Sequence, residues 1–161
     1  MTPQGFITST GRELRIAGLI FAKLDARDAA YRPTPTSRSI EELLRYLSWC
    51  GLDGVLKVLH GDAYRESELC RSAGSFTLAD FPQRVAAQQA AIAAAIAAVP
   101  AERWATGRNK QRWGAECSLT EALVEVPLKW LVAYRMNLFL WAKECGHHDL
   151  DRTICWAPPA V

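Results

Sequence analysis

The stretch that decides the fold is Ser118–Gly146, SLTEALVEVPLKWLVAYRMNLFLWAKECG. Ser118 and Glu121 form a capping box at its start, the hydroxyl accepting from one backbone N–H while the carboxylate reaches back to another. Gly146 closes it, glycine being the residue that tolerates the left-handed turn after a helix. Lys143 supplies a cation in the last turn, where the helix dipole favours one. At 1.5 Å per residue such a helix runs roughly 40 Å. Leu123, Pro127, Leu131, Tyr134, Leu138, Trp141 and Cys145 share one face at helical spacing, with Trp130 and Asn137 on its shoulder. An apolar stripe this long must be buried against other helices. Pro127 has no N–H to offer the Leu123 carbonyl, so a kink is expected one turn before Trp130.

The stripe also carries polar groups, because Trp130, Tyr134, Asn137 and Trp141 follow one another on it. Two indoles, a phenol and an amide need hydrogen-bond partners if buried. An ordinary bundle core supplies them locally, whereas a pocket supplies them through a ligand, and both readings are open at this point.

Outward from this segment the chain reads as further amphipathic helices. The first is expected from about Gly11 to Tyr31, with Ile16, Ala17, Ile20 and Leu24 on one face, and it ends before the proline-rich RPTPTSRS. Ser39 and Glu42 open a second with another capping box, and it runs to about Gly61, weakened in the middle by Gly51 and Gly54. After an irregular polar segment with a short helical turn around 66–71, Thr77 or Asp80 caps the third. That helix is alanine-rich, with Ile92, Ile96 and Val99 as its apolar face, and Pro100 stops it. The connection before Ser118 interleaves Arg103, Arg108, Lys110 and Arg112 with Trp104 and Trp113. It reads as a lid or short hairpin over one end of the bundle, or as a surface stacking on bases. The tail is expected to pack back through Ile154 and Trp156. No internal repeat is visible.

The reading is therefore an all-α four-helix bundle, a single domain over residues 1–161. It has a long connection between the first two helices and an irregular segment between the third and fourth. Half of the residues are hydrophobic and 22% are charged, as in an ordinary globular domain, and a net charge of +2 argues against nucleic acid as a partner. The apolar run AGLIFA is too short to span a bilayer, which points away from the membrane and to the cytoplasm. Five cysteines without CxxC spacing fit reduced thiols. No glycine-rich phosphate loop or catalytic triad signature is present.

Two segments resemble the DinB/YfiT-like bundles. PTPTSRSIEELLRYLSW is similar to that family's loop and second helix, and LVAYRMNLFLWAKECG to its fourth. The resemblance implies a bacterial four-helix bundle, often with a divalent metal on three histidines. It also implies, in several members, transfer or isomerisation chemistry dependent on low-molecular-weight thiols such as mycothiol, bacillithiol or glutathione. Here the histidine positions hold Tyr46, Trp130 and Tyr134, followed by Arg135 and Asn137. Indole is a donor only, and phenol is a poor substitute for imidazole with zinc. The expectation is thus no metal and no cofactor, with a pocket between the second and fourth helices lined by Tyr46, Trp130, Tyr134, Arg135, Asn137 and Trp141. Arg135 turns either inward to a carboxylate or phosphate or out to water. His60 reads as a capping or surface side chain. Cys145, His147, His148, Asp149 and Asp151 are the one group of metal-ligand types close in sequence, at a spacing that matches no standard site. Three functions stay open: binding of a small molecule or protein partner, metal-independent thiol-dependent catalysis, and a dimeric interaction protein (homodimer) without catalysis.

Overall fold

The structure, a computed structural model, describes residues 1–110 and 114–156. Arg112 and Trp113 of the basic connection lie outside the described residues.

Thr2 caps the first helix, accepting from Gly5 N–H at 3.0 Å, and Pro3 occupies the position where a missing N–H costs nothing. Helix α1 therefore spans Pro3–Phe21, starting and ending earlier than the apolar pattern predicts. The remainder of that pattern, Ala26–Ala30, is a separate 3-10 turn after Asp25. Helix α2 (Ile40–Leu47) begins at the expected capping box, with Ser39 N–H donating to Glu42 at 2.8 Å and Glu42 N–H to the Ser39 hydroxyl at 3.2 Å. Arg32 grips the same Glu42 carboxylate through two nitrogens, at 2.7 and 2.9 Å, which ties the proline-rich connection to the helix.

The second helical rod is broken where the sequence predicts only weakening. Helix α3 (Cys50–His60) starts anew after a turn at Ser48 and Trp49. Gln88, from the third long helix, mends the break. Its fully buried amide accepts from Leu52 N–H at 3.0 Å and donates to the Leu47 carbonyl at 2.8 Å. Backbone groups that a continuous helix would pair internally are thus satisfied from a neighbour.

A short helix α4 (Glu68–Arg71) and 3-10 turns lead to α5 (Phe81–Ala97), entered through Thr77 and Asp80. Helix α6 (Ala101–Thr106) precedes a small antiparallel hairpin, β1 (Arg108–Lys110) against β2 (Glu116–Ser118), in register Asn109 to Cys117. The last rod is α7 (Leu119–Leu123), a π turn at Val124–Leu128, and α8 (Lys129–Glu144). The π turn falls on Pro127. Its wider spacing lets a carbonyl facing the proline bond to the N–H one residue further on. Gly54 lies against it, so close that a Cβ there would come within 3.0 Å of Pro127. Gly146 ends the rod at φ 104, as its position predicts. Helix α9 (Arg152–Trp156) folds back on α1 with Ile154 half-buried against the core, as expected, and Cys155 buried, whereas Trp156 is exposed.

Helix α1 packs between α5 and α8, and α3 packs on α5 and on the α7–α8 rod. Leu14, Ile20, Leu43, Leu47, Val55, Ile92, Ile96, Leu131 and Leu138 fill the space between them. Among the described residues no helix is long and apolar enough to cross a membrane.

Candidate functional site

Two aromatic side chains from different rods meet at the middle of the α2–α8 seam. Tyr46, two turns into α2, and Tyr134, in the second turn of α8, pack edge to face with centroids 4.9 Å apart. Trp49, at the helix break, closes on the other side of Tyr46 at 4.8 Å. Above both phenols lies the guanidinium of Arg38, the residue before the α2 cap. Its carbon is 4.5 Å from the Tyr46 centroid and 5.7 Å from that of Tyr134. A guanidinium over an aromatic face is held by the ring quadrupole, about 0.5–1 kcal/mol at exposed sites. Arg38 has no hydrogen bond or ion pair to any described residue.

Burial, with the neighbouring Cys50 and Tyr134, pushes the Tyr46 hydroxyl well above the ordinary phenol range, and Arg38 only partly offsets it. Burial does the same to Cys50 directly below. At neutral pH both keep their protons, so Tyr46 offers a hydrogen-bond donor and not a base.

Arg38 divides two grooves. One, of about 450 Å³, is lined by Ser37, Arg38, Leu43, Tyr134, Asn137 and Trp141. The other, of about 470 Å³, is lined by Arg38, Glu42, Arg45, Tyr46, Trp49 and Gly74. Both lie within the size range of small-molecule sites. Arg45 pairs with Glu41 at 3.1 Å, yet its Nε is buried without a partner, alone in this among the described side-chain atoms. Glu42 is already engaged by Arg32, so the uncompensated charge along these grooves is positive.

The residues expected to share one pocket are thus divided. Tyr46 and Tyr134 touch, and Tyr134, Asn137 and Trp141 line one groove. Trp130 instead faces a separate cleft of about 740 Å³ at the hairpin end, beside Lys57, Val58, Asn109 and Val126. Arg135 turns inward on a different side of α8, 1% exposed, donating to Glu13 at 2.8 Å and to the Cys155 sulfur at 3.0 Å. The core column of α8 runs Leu131, Arg135, Leu138 and Ala142, which leaves Tyr134 and Trp141 on the flank nearest α2. Sequence reasoning missed Arg38. Its one signal was a basic residue adjoining an N-cap, two turns ahead of Tyr46.

The histidines stand elsewhere. His147 does not join Cys145, His148, Asp149 or Asp151 in one cluster. Its Nε2 meets the Asp28 carboxylate at 2.7 Å, while Asp149 pairs with Lys23 at 2.7 Å. Asp151 accepts from the Thr153 and Ile154 N–H groups. Asp25, Asp28 and His147 place one ligand atom each within 4.8 Å of one another, the one such trio among the described residues. Burial alone would raise the Asp28 carboxyl. The His147 bond, the Asp25 N–H and nearby positive charge outweigh it and hold the group below its ordinary value.

No protein-family model matches the sequence, and no curated protein matches it. Solved structures do. A DinB-like protein from Bacillus subtilis (YjoA) superposes with a TM-score of 0.65 at 18% identity, over 91% of this chain and 95% of that one. A protein assigned to the DinB family from Exiguobacterium sibiricum superposes with a TM-score of 0.69 at 18% identity, over 96% and 99%. The chain has the DinB-like all-α fold.

Proposed function

We propose that this chain is a DinB-like bundle working without the family's metal centre, and that it binds a small organic anion in the grooves beside Arg38. The observation that carries the reading is the Arg38 guanidinium over the Tyr46 and Tyr134 rings, with no anion bound to it among the described residues. Where the resemblance places metal-binding imidazoles, this chain has two phenols with the exposed Arg38 guanidinium over them, and Trp130 faces another cleft. Neutral phenols, a donor-only indole and a guanidinium do not fit a divalent ion. They do fit a carboxylate or phosphate, which a guanidinium can hold through two parallel hydrogen bonds. The rings of Tyr134 and Trp141 give such a ligand an apolar wall, and Asn137 gives it an amide.

The test is a thermal-shift panel of aromatic carboxylates, dicarboxylates, phosphate monoesters and thiol tripeptides, run on wild type and on Arg38→Gln. Stabilisation of wild type by one class of anion, lost in Arg38→Gln, is the expected result. No stabilisation by any member of the panel would refute the reading.

One observation favours a second reading, thiol-dependent catalysis. The Tyr46 phenol keeps its proton and faces a groove shared with Arg38, a combination suited to stabilising a thiolate or developing oxyanion. Full turnover and full stability in Tyr134→Phe, together with full turnover in Tyr46→Phe, would remove it.

A further inference from the structure

We infer that Asp25, Asp28 and His147 form a divalent-cation site where the α1–α2 connection meets the end of α8. It is apart from the Arg38 grooves and independent of the function proposed for them. Three donors converge there, two carboxylate oxygens and an imidazole nitrogen, within 4.8 Å of one another. Each is held by the local backbone. Asp25 and Asp28 cap the same 3-10 turn, Asp25 N–H donating to Asp28 at 2.7 Å. His147 follows the glycine turn, its N–H on the Ala142 carbonyl at 3.2 Å.

Asp28 supplies the electrostatic argument. It is 4% exposed, and a carboxylate taken that far out of water needs a compensating charge. No lysine or arginine among the described residues forms an ion pair with it. Among the described residues, the group in contact with it that can carry positive charge is His147, at 2.7 Å. A divalent ion held by both carboxylates and the imidazole would supply that charge.

Two carboxylates and one imidazole suit zinc or manganese rather than calcium or magnesium, which prefer oxygen donors throughout. Ligand atoms on a tetrahedral zinc at about 2.0–2.1 Å lie roughly 3.3 Å apart. Asp28 and His147 at 2.7 Å would separate slightly, and Asp25 would swing in. Among the described residues the only ion pair holding Asp25 is with Arg27 at 3.1 Å, a well-exposed pair that yields readily. Asp25 is exposed, so water can complete the coordination shell.

The test is calorimetric titration of the full chain, stripped with chelator, with zinc chloride and separately with manganese chloride. Wild type is expected to take up one equivalent of at least one of the two. Asp25→Asn keeps a capping side chain but removes an anionic ligand, and His147→Gln keeps a hydrogen-bond donor for Asp28 but removes the imidazole. Each should weaken binding by about 100-fold or more, beyond the roughly 10–100-fold typical of outer-shell partners. The melting temperature of metal-free Asp25→Asn should stay at the wild-type value, which separates lost ligation from lost folding. His148→Ala should bind as wild type does. Uptake of neither ion by wild type would overturn the proposal. So would unchanged affinity in Asp25→Asn, or loss of uptake in His148→Ala.

Discussion

Gln88 offers the sharpest test of how the two helical rods around the seam are built. Its side chain lies in the core and bridges the α2–α3 break, accepting from Leu52 N–H at 3.0 Å and donating to the Leu47 carbonyl at 2.8 Å. Gln88→Leu keeps the bulk of the side chain and removes both bonds. Each buried backbone group left without a partner costs about 1–3 kcal/mol, so the pair amounts to roughly 4 kcal/mol. For a chain of this length 1 kcal/mol corresponds to about 2–4 °C, which gives a fall in Tm of roughly 12 °C. Gln88→Glu is the companion variant. One carboxyl oxygen can still accept from Leu52 N–H, but the other faces a carbonyl and needs a proton to bond to it. That raises the folded-state pKa, so the bond is fully present below the ordinary glutamate value and is lost as pH rises through the raised one. Urea unfolding of both variants between pH 4 and 8 reads these effects. A Gln88→Leu protein within about 1 kcal/mol of wild type would refute the claim that the break depends on this amide.

Two further predictions concern groups away from the grooves. Glu13→Gln leaves the Arg135 guanidinium in the core without its carboxylate, beside the Cys155 sulfur and the Trp156 ring, and should cost about 3–5 kcal/mol in urea unfolding. Adding Arg135→Met to it should recover most of that loss, because an apolar side chain of similar length needs no counter-charge. Glu42 is held down to about 2 by the Arg32 hydrogen bonds and the Ser39 N–H, from an ordinary value of 4.5. A depressed carboxylate pKa stabilises the fold above the ordinary value and ceases to as pH falls through the depressed one. Glu42→Gln should therefore flatten the stability profile between about pH 4.5 and 2, checked by thermal unfolding across that window.

The helices were legible where a local rule governs them. The capping boxes at Ser39 and Ser118, the stop at Pro100 and the glycine at 146 each act within one turn, and each stands where the pattern places it. Thr2 followed by Pro3 is a local start signal for α1, and it lies outside the apolar stripe that begins near Gly11. The break at Ser48 and Trp49 was not legible. The amide that makes it tolerable comes from α5, 36 residues further along the chain. Pro127 announced a distortion, while its form depended on Gly54 pressing against it from α3.

The site divides along the same line. That Tyr46 and Tyr134 would come together was implied by the resemblance to the DinB/YfiT-like bundles, whose histidine positions they occupy. The inward turn of Arg135 followed from Glu13, 122 residues away on α1, which no spacing within the last helix could reveal. Asp28 and His147 are 119 residues apart and meet because the 3-10 turn after α1 lies beside the end of α8. Of the groups that cluster in sequence after residue 144, His147 meets Asp28, Asp149 pairs with Lys23 and Asp151 accepts from the Thr153 and Ile154 N–H groups.

The measurement that tests the central claim most directly is a crystal structure of the protein grown with zinc and an aromatic carboxylate, with anomalous diffraction recorded at the zinc edge. The account predicts no anomalous peak within bonding distance of Tyr46, Trp130 or Tyr134, and carboxylate density on the Arg38 guanidinium. A zinc ion coordinated by those side chains, with Arg38 displaced from the rings, would contradict it.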